Sequence, residues 1–342
     1  MDFLKNDTIN MGIKNLNRYL KKYSRSGIKN VTIKDIQNKT IVIDTSIYLY
    51  KFLEQNALLE SFFVMVTEFR AYNITPLFIF DGKPDESKME LLWKRFYKKR
   101  EALKQLNELT CKLNTSLEIE QTEKDAIMKK MEECRKKSTR VKETDVIALK
   151  ELFDTIGVYY YDAPMEADIV CAYFVKSGKA WACMSDDMDM FVYGCDRVLR
   201  EWRIEKKFGV LYDTDTITSE INIHRSYLTA LLLLLGSDYH QEICKEEHIR
   251  VDQAFQWYDQ FIESKPDQTI ESDIVRFYTW LLNTEKISET NMHKLLRISS
   301  MYDVPDYIEL PTINKKNVIW RHLQKLMAPY GFIIGNNVHS IY

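Results

Sequence analysis

The chain has 342 residues, 45% hydrophobic and 29% charged, with a formal net charge of −2. That length and apolar content allow a sizeable core in one elaborated domain or two, and exclude a disordered or fibrous chain. A net charge near zero gives no global basic field, so a case for a polyanionic ligand has to rest on local charge.

The six cysteines (Cys111, Cys134, Cys171, Cys183, Cys195 and Cys244) form no C-x-x-C pair, and Cys171 and Cys183 sit in apolar stretches that read as core. Met1–Asn10 is polar and acidic, unlike a secretory leader. The apolar run around Leu231–Leu235 is far too short to cross a bilayer. The expectation is an intracellular protein with reduced thiols and no membrane partner.

Residues 1–10 read as an extension. Met11–Leu16 opens an amphipathic helix, with Leu16, Tyr19 and Leu20 at helical spacing. Thr40–Asp44 is a β-branched strand ending in an acid, and Phe62–Phe69 reads as a helix. Pro76–Asp81 repeats the strand-then-acid device, with Gly82 to release the chain. The alternation predicts an α/β fold with a central, mostly parallel sheet flanked by helices. Taken singly, Asp44 and Asp81 could equally be helix N-caps.

Residues 88–142 carry 16 Lys/Arg against 9 Asp/Glu. Leu91–Arg100 interleaves Arg95, Lys98, Lys99 and Arg100 with aromatic side chains, and no Gly or Pro falls between Pro84 and Gly157. The span is predicted as nearly continuous helix, a basic insertion facing phosphates. The alternative is a solvated helical hairpin.

Tyr159–Asp162 reads as a strand. Ala163–Cys171 starts a helix, with Pro164, Glu166 and Asp168 near its first turn, where acids are stabilising without any ligand. The rest of the chain is organised around Met184–Met190. This run follows the apolar Ala180–Cys183 and precedes Met190–Val192, so it reads as a buried strand ending in Asp187 and Asp189. Open α/β sheets bind ligands at that edge. Close carboxylates repel each other, and a hard divalent cation relieves them. An acidic turn is the plainer alternative. Leu228–Gly236 is an apolar helix stopped by glycine, with Asp238 just beyond.

One such acid is a cap. Asp44, Asp81, Glu166, Asp168, Asp187, Asp189 and Asp238, converging at one sheet edge, would make a site for two divalent metals. The six histidines are scattered, and no Cys/His cluster, phosphate loop or Ser–His–Asp arrangement competes.

Over roughly Met11–Tyr239 the chain resembles the flap endonuclease family of structure-specific 5′ nucleases, the xeroderma pigmentosum G-like family. The matching stretches are Met11–Leu16, Val42–Asp44, Phe80–Pro84, Asp162–Asp168, Asp186–Asp189 and Gly236–Tyr239, in the family's order. The resemblance implies a PIN-like 5′ nuclease core over 11–240, with a helical arch at about 88–142 and a helical region over 241–342 atypical of the family. It implies a Mg²⁺-dependent (Mn²⁺ possible) phosphodiesterase with two ions per site, cutting flapped, branched or nicked DNA in replication, repair or recombination. By that resemblance the seven acids are metal ligands, and Lys88 and Arg95 face the scissile phosphate. Tyr50 stacks on a base, Gly12 lies near the active site, and Lys98, Lys99, Arg100 and Arg140 bind nucleic acid along the arch. For Tyr50 a core tyrosine is the alternative. A monomer in the nucleus or at a cytoplasmic replication site is expected.

There are departures. Asp168 stands where Glu is usual, one methylene shorter. After Tyr239 the family's Gly-rich, duplex-gripping hairpin is replaced by His240–Arg250, with no Gly until Gly331, which puts a monovalent-cation site in doubt. The extension before Met11 would crowd Gly12. Gln324–Gly331 keeps only part of a sliding-clamp peptide and reads as a helix end. A four-way-junction resolvase, a 5′→3′ exoribonuclease and a catalytically silent nucleic-acid-binding scaffold stay open as alternatives.

Overall fold

The structure is a computed structural model that describes residues 13, 15–84, 88–115, 120–237, 249–265, 272–309 and 318–334. Its strands are β1 (Ile28–Thr32), β2 (Thr40–Asp44), β3 (Thr75–Phe80), β4 (Tyr159–Asp162), β5 (Ala182–Met184), β6 (Arg197–Arg203) and β7 (Phe208–Asp213). Its helices are α1 (Leu16–Tyr23), α2 (Thr45–Glu54), α3 (Leu58–Ala71), α4 (Met89–Thr115), α5 (Gln121–Ser138), α6 (Glu143–Ile156), α7 (Ala167–Lys176) and α8 (Asp189–Val192), then α9 (Thr214–Glu220), α10 (Leu228–Leu234), α11 (Val251–Glu263), α12 (Asp273–Asn283), α13 (Glu289–Ser299) and α14 (Trp320–Met327). The chain divides into two compact units: Met1–Asp44, Phe69–Gly82 and Tyr161–Ile313 form the first, and Thr45–Glu68, Lys83–Tyr160 and Asn314–Tyr342 the second.

The seven-stranded sheet runs β1-β7-β6-β5-β2-β3-β4. β2 pairs in parallel with β3 and β5, and β5 in parallel with β6. Ile41, Val42, Ile43, Phe78, Ile79 and Ala182–Met184 are all buried. Such continuous apolar runs are what central parallel strands covered on both faces require. Burying each of the larger ones contributes about 1.5–3 kcal/mol.

The edge is antiparallel, β6 with β7 and β7 with β1. Sequence reasoning missed these strands because Arg197, Arg200, Glu201 and Arg203 interrupt the apolar pattern of β6. A carboxylate ties this edge together. Glu220, ending α9, accepts from the backbone N–H groups of Ser26 (3.0 Å) and Gly27 (3.1 Å) and from the hydroxyls of Ser24 and Ser26. Those donors, the hydroxyls first, lower its pKa to about 2.

In the first unit α10 is almost wholly buried, as its run of leucines demands. Tyr227, Tyr258, Phe261 and Phe277 form an aromatic cluster between α11, α12 and the turn before α10. The Tyr278 hydroxyl donates to Ala230 O at 2.9 Å. Phe255, Tyr258 and Phe261 on α11, and Phe277, Tyr278 and Leu281 on α12, are buried.

The second unit has its own core, where Phe62 packs edge-on against Phe52 and Phe153 at centroid distances of 4.9 and 5.6 Å. From it α4 and α5 form a largely solvated hairpin, with Ala102, Ile127 and Cys134 buried along the seam and Lys112 paired to Glu123 at 2.7 Å. Among the described residues no helix is long and apolar enough to cross a membrane.

Candidate active site

Because β5, β2 and β3 are adjacent and parallel, their carboxyl ends lie side by side. Ile43 pairs with Met184 and Asp44 with Ile79. Asp44 is the buried last residue of β2. Ser185, directly after β5, donates from Oγ to Asp44 Oδ2 (3.3 Å) and accepts the Asp187 N–H (3.2 Å). The Asp189 N–H donates to Asp187 Oδ1 at 2.9 Å. A run of hydrogen bonds thus links Asp44 to the Asp187–Asp189 pair, and all three carboxylates are buried.

Beyond β3 the same edge continues. Asp81 Oδ1 accepts the Ala167 N–H at 2.8 Å, the first amide of α7. Gly82 N donates to Met165 O at 2.6 Å, and a Cβ there would lie 2.1 Å from Ala163 O. Glycine is needed at 82 for this close approach rather than for release of the chain. The contact sets Asp81 against the helix start that carries Glu166 and Asp168. Glu166 occupies the N-cap position but its side chain accepts no capping bond from α7. The carboxylate that serves the first turn of α7 is Asp81, from another segment. Glu166 is buried and Asp168 half-buried, while Asp81 is exposed.

Two residues that the sequence did not flag hold the loop. Arg200, on β6 and 8% exposed, donates from Nη2 to Asp186 O at 2.6 Å and contacts Met188 Sδ. Asp186 Oδ1 in turn accepts the Glu201 N–H on β6 at 2.6 Å, so Asp186 faces β6 while its neighbour Asp187 faces Ser185. Tyr302, following α13, donates its hydroxyl to Asp189 Oδ2 at 2.7 Å. A charged residue in an apolar strand was a signal available for Arg200. Tyr302, 113 residues from its partner, offered none.

Among the described residues no three His, Cys, Asp or Glu side chains are drawn together tightly enough to grip an ion as they stand. Like charges repel, and Asp44, Asp81, Asp187 and Asp189 are held by hydroxyl and amide donors. The donor set still fits one class of metal. It is all carboxylate oxygen, and four of the acids are buried, which is costly unless a cation offsets the charge. The neighbouring thiols do not compete. Burial pushes Cys171 up to about 12; hydrogen bonding to Cys171 together with burial raises Cys183, and hydrogen bonding to Cys183 together with burial raises Cys195. The thiolate, the form that binds soft metals, is thereby disfavoured.

The remaining sequence candidates fall elsewhere. Asp238 and Gly12 lie outside the described residues, as do the 1–10 extension and most of His240–Arg250. Lys88 and Arg95 belong to the second unit, Lys88 half-buried just before α4 and Arg95 exposed on it. Also in that unit, Lys99 Nζ lies 4.2 Å from the centre of the Tyr50 ring and 3.1 Å from its hydroxyl. Tyr50 is exposed rather than core. Arg140 lies over the Phe96 ring at 4.9 Å, and Lys98 and Arg100 are exposed on α4. Gln324–Gly331 is a helix end, with the Gln324 side-chain amide donating to Ile334 O at 2.8 Å.

Two family models match the chain: the XPG N-terminal domain over residues 11–102 and the XPG I-region over residues 157–238. The chain belongs to the XPG, or flap endonuclease, family. The first XPG match runs into α4 and the second begins after α6, and together they contain all seven acids. Curated relatives in the family include flap endonuclease 1 of Lodderomyces elongisporus, 29% identical over 252 residues, and of Homo sapiens, 28% identical over 251. Each alignment covers 68% of this chain but only 62% and 63% of the relative. Solved structures with the same fold include human GEN1 in complex with Holliday junction DNA, at 16% identity and a TM-score of 0.62 over 93% of this chain and 73% of that one. The catalytic core of Rad2 in complex with DNA substrate matches at 18% identity and a TM-score of 0.59, over 93% of this chain and 94% of that one.

Proposed function

We propose that this XPG-family chain is a metal-dependent 5′ nuclease that hydrolyses phosphodiester bonds at 5′ flaps, nicks and ends of DNA, as endonuclease and 5′→3′ exonuclease, in replication, repair or recombination. The observation that carries the reading is the row of acids along the carboxyl edge of β5, β2 and β3 and the start of α7, in a chain whose relatives are flap endonucleases.

Asp44, Asp81, Glu166, Asp168, Asp187 and Asp189, with Asp238, would hold two Mg²⁺ ions, with Mn²⁺ able to replace them. Bound there, the ions would supply charge stabilisation to the attacking and leaving oxygens of an in-line displacement. The protein's own part is to keep the carboxylates oriented through Ser185, Arg200 and the amides of Ala167 and Asp189. Lys88 and Arg95 contribute positive charge for the non-bridging oxygens. Lys98, Lys99, Arg100 and Arg140 attract the phosphate backbone, in a salt-dependent way. Tyr50, already under a lysine, offers a face to a base, a contact worth about 1–3 kcal/mol. The free cysteines among the described residues suit an intracellular site of action.

The test is cleavage of an end-labelled 5′-flap duplex. The expected result is release of the flap in Mg²⁺ or Mn²⁺ and none in EDTA. No cutting of flap, nick or duplex end with either metal would overturn the reading. Preference for a four-way junction or for RNA would reassign the substrate.

A further inference from the structure

We infer that Tyr302 is a positioning residue for the metal site: its hydroxyl sets the orientation of the Asp189 carboxylate, so the region C-terminal to both matched XPG segments helps to build the cation-binding edge. The inference rests on the metal-site reading above and adds to it a residue that neither XPG segment contains.

The contact is built rather than incidental. Tyr302 is 3% exposed and Asp189 2%. The 2.7 Å distance from Tyr302 hydroxyl to Asp189 Oδ2 is that of a charge-assisted bond. The Tyr302 ring lies against Tyr193, one residue past α8, at a centroid distance of 4.7 Å, so the phenol is fixed from the same short helix that Asp189 begins. Asp189 is then held twice, by its backbone N–H on Asp187 Oδ1 and by its carboxylate on the phenol. Each tether acts on one of the paired acids, so the two carboxylates are oriented together. Partners that orient metal-ligating carboxylates typically contribute 10- to 100-fold in metal affinity.

A buried tyrosine hydroxyl can also be merely structural, and the same unit contains such a case. Tyr278 is fully buried and donates to the Ala230 carbonyl on α10, with no carboxylate involved. It provides the control. The 342-residue chain without DNA is titrated with Mn²⁺, and free Mn²⁺ is read by electron paramagnetic resonance, together with the metal-free Tm.

Tyr302→Phe, which keeps the ring, is expected to weaken Mn²⁺ binding by roughly 10- to 100-fold. Tyr278→Phe is expected to lower Tm without moving it. In an Asp189→Asn background, Tyr302→Phe should have little further effect. A second measurement needs no variant to fold: the Tyr302 hydroxyl proton, held in a buried bond, should shift in NMR spectra of the wild type as Mg²⁺ is added.

Wild-type Mn²⁺ affinity in Tyr302→Phe, an equal loss in Tyr278→Phe, or a hydroxyl resonance indifferent to Mg²⁺ would each overturn the inference and leave the metal site standing. A wild-type protein that binds no Mn²⁺ would remove both.

Discussion

Asp187→Ala and Asp189→Ala are each expected to abolish cleavage of a 5′-flap duplex, while DNA binding in Ca²⁺ stays close to wild type. The expected fall in kcat is about three orders of magnitude or more, since a metal clamp supplies several kcal/mol of charge stabilisation and each 1.4 kcal/mol is tenfold. Both side chains are buried just past β5, Asp187 in the turn and Asp189 at the start of α8, within the hydrogen-bond run from Asp44. The two variants should differ in stability. Asp187→Ala removes the acceptor of one backbone amide, whereas Asp189→Ala leaves the buried Tyr302 hydroxyl without its acceptor, which costs about 1–3 kcal/mol. Turnover near wild type in either variant would contradict the site.

This edge was legible in the sequence because the chain writes it the same way three times. Thr40–Asp44, Pro76–Asp81 and Ala182–Asp187 each run apolar and then acidic, and parallel pairing brings the three ends together. What was not legible depended on contacts distant in sequence. Asp81 reads as a cap for whatever follows it, but it accepts the first amide of a helix 86 residues on. Gly82 reads as a turn residue, but its lack of a Cβ admits the Ala163 carbonyl. The antiparallel edge β6–β7 was hidden by its charged residues, one of which, Arg200, turns inward to brace the acidic loop. Helix α2 was missed because it starts at Thr45, directly after a strand, with no Gly or Pro between them.

The basic pair gives the second large effect. Lys88→Ala combined with Arg95→Ala is expected to lower kcat at least 100-fold, with KM for the flap substrate changed less than tenfold. Positive groups that serve charge developing in the transition state are worth about 10²–10³ in rate apiece, and less than their product together. The expectation comes from their spacing of seven on one face of the helical insertion, together with that insertion's excess of Lys and Arg. Both stand at the N-terminal end of α4, where they are half-buried and exposed respectively. A rise in KM with kcat unchanged would reduce them to phosphate-positioning residues and leave the carboxylates alone responsible for the rate.

The most direct measurement is anomalous diffraction at the manganese edge from crystals grown with Mn²⁺. The account predicts Mn²⁺ peaks at the carboxyl edge of β5, β2 and β3, within ligand distance of Asp187, Asp189 and at least one of Asp44, Asp81, Glu166 and Asp168. Peaks confined to other surfaces, or none at an Mn²⁺ concentration that supports cleavage, would contradict it.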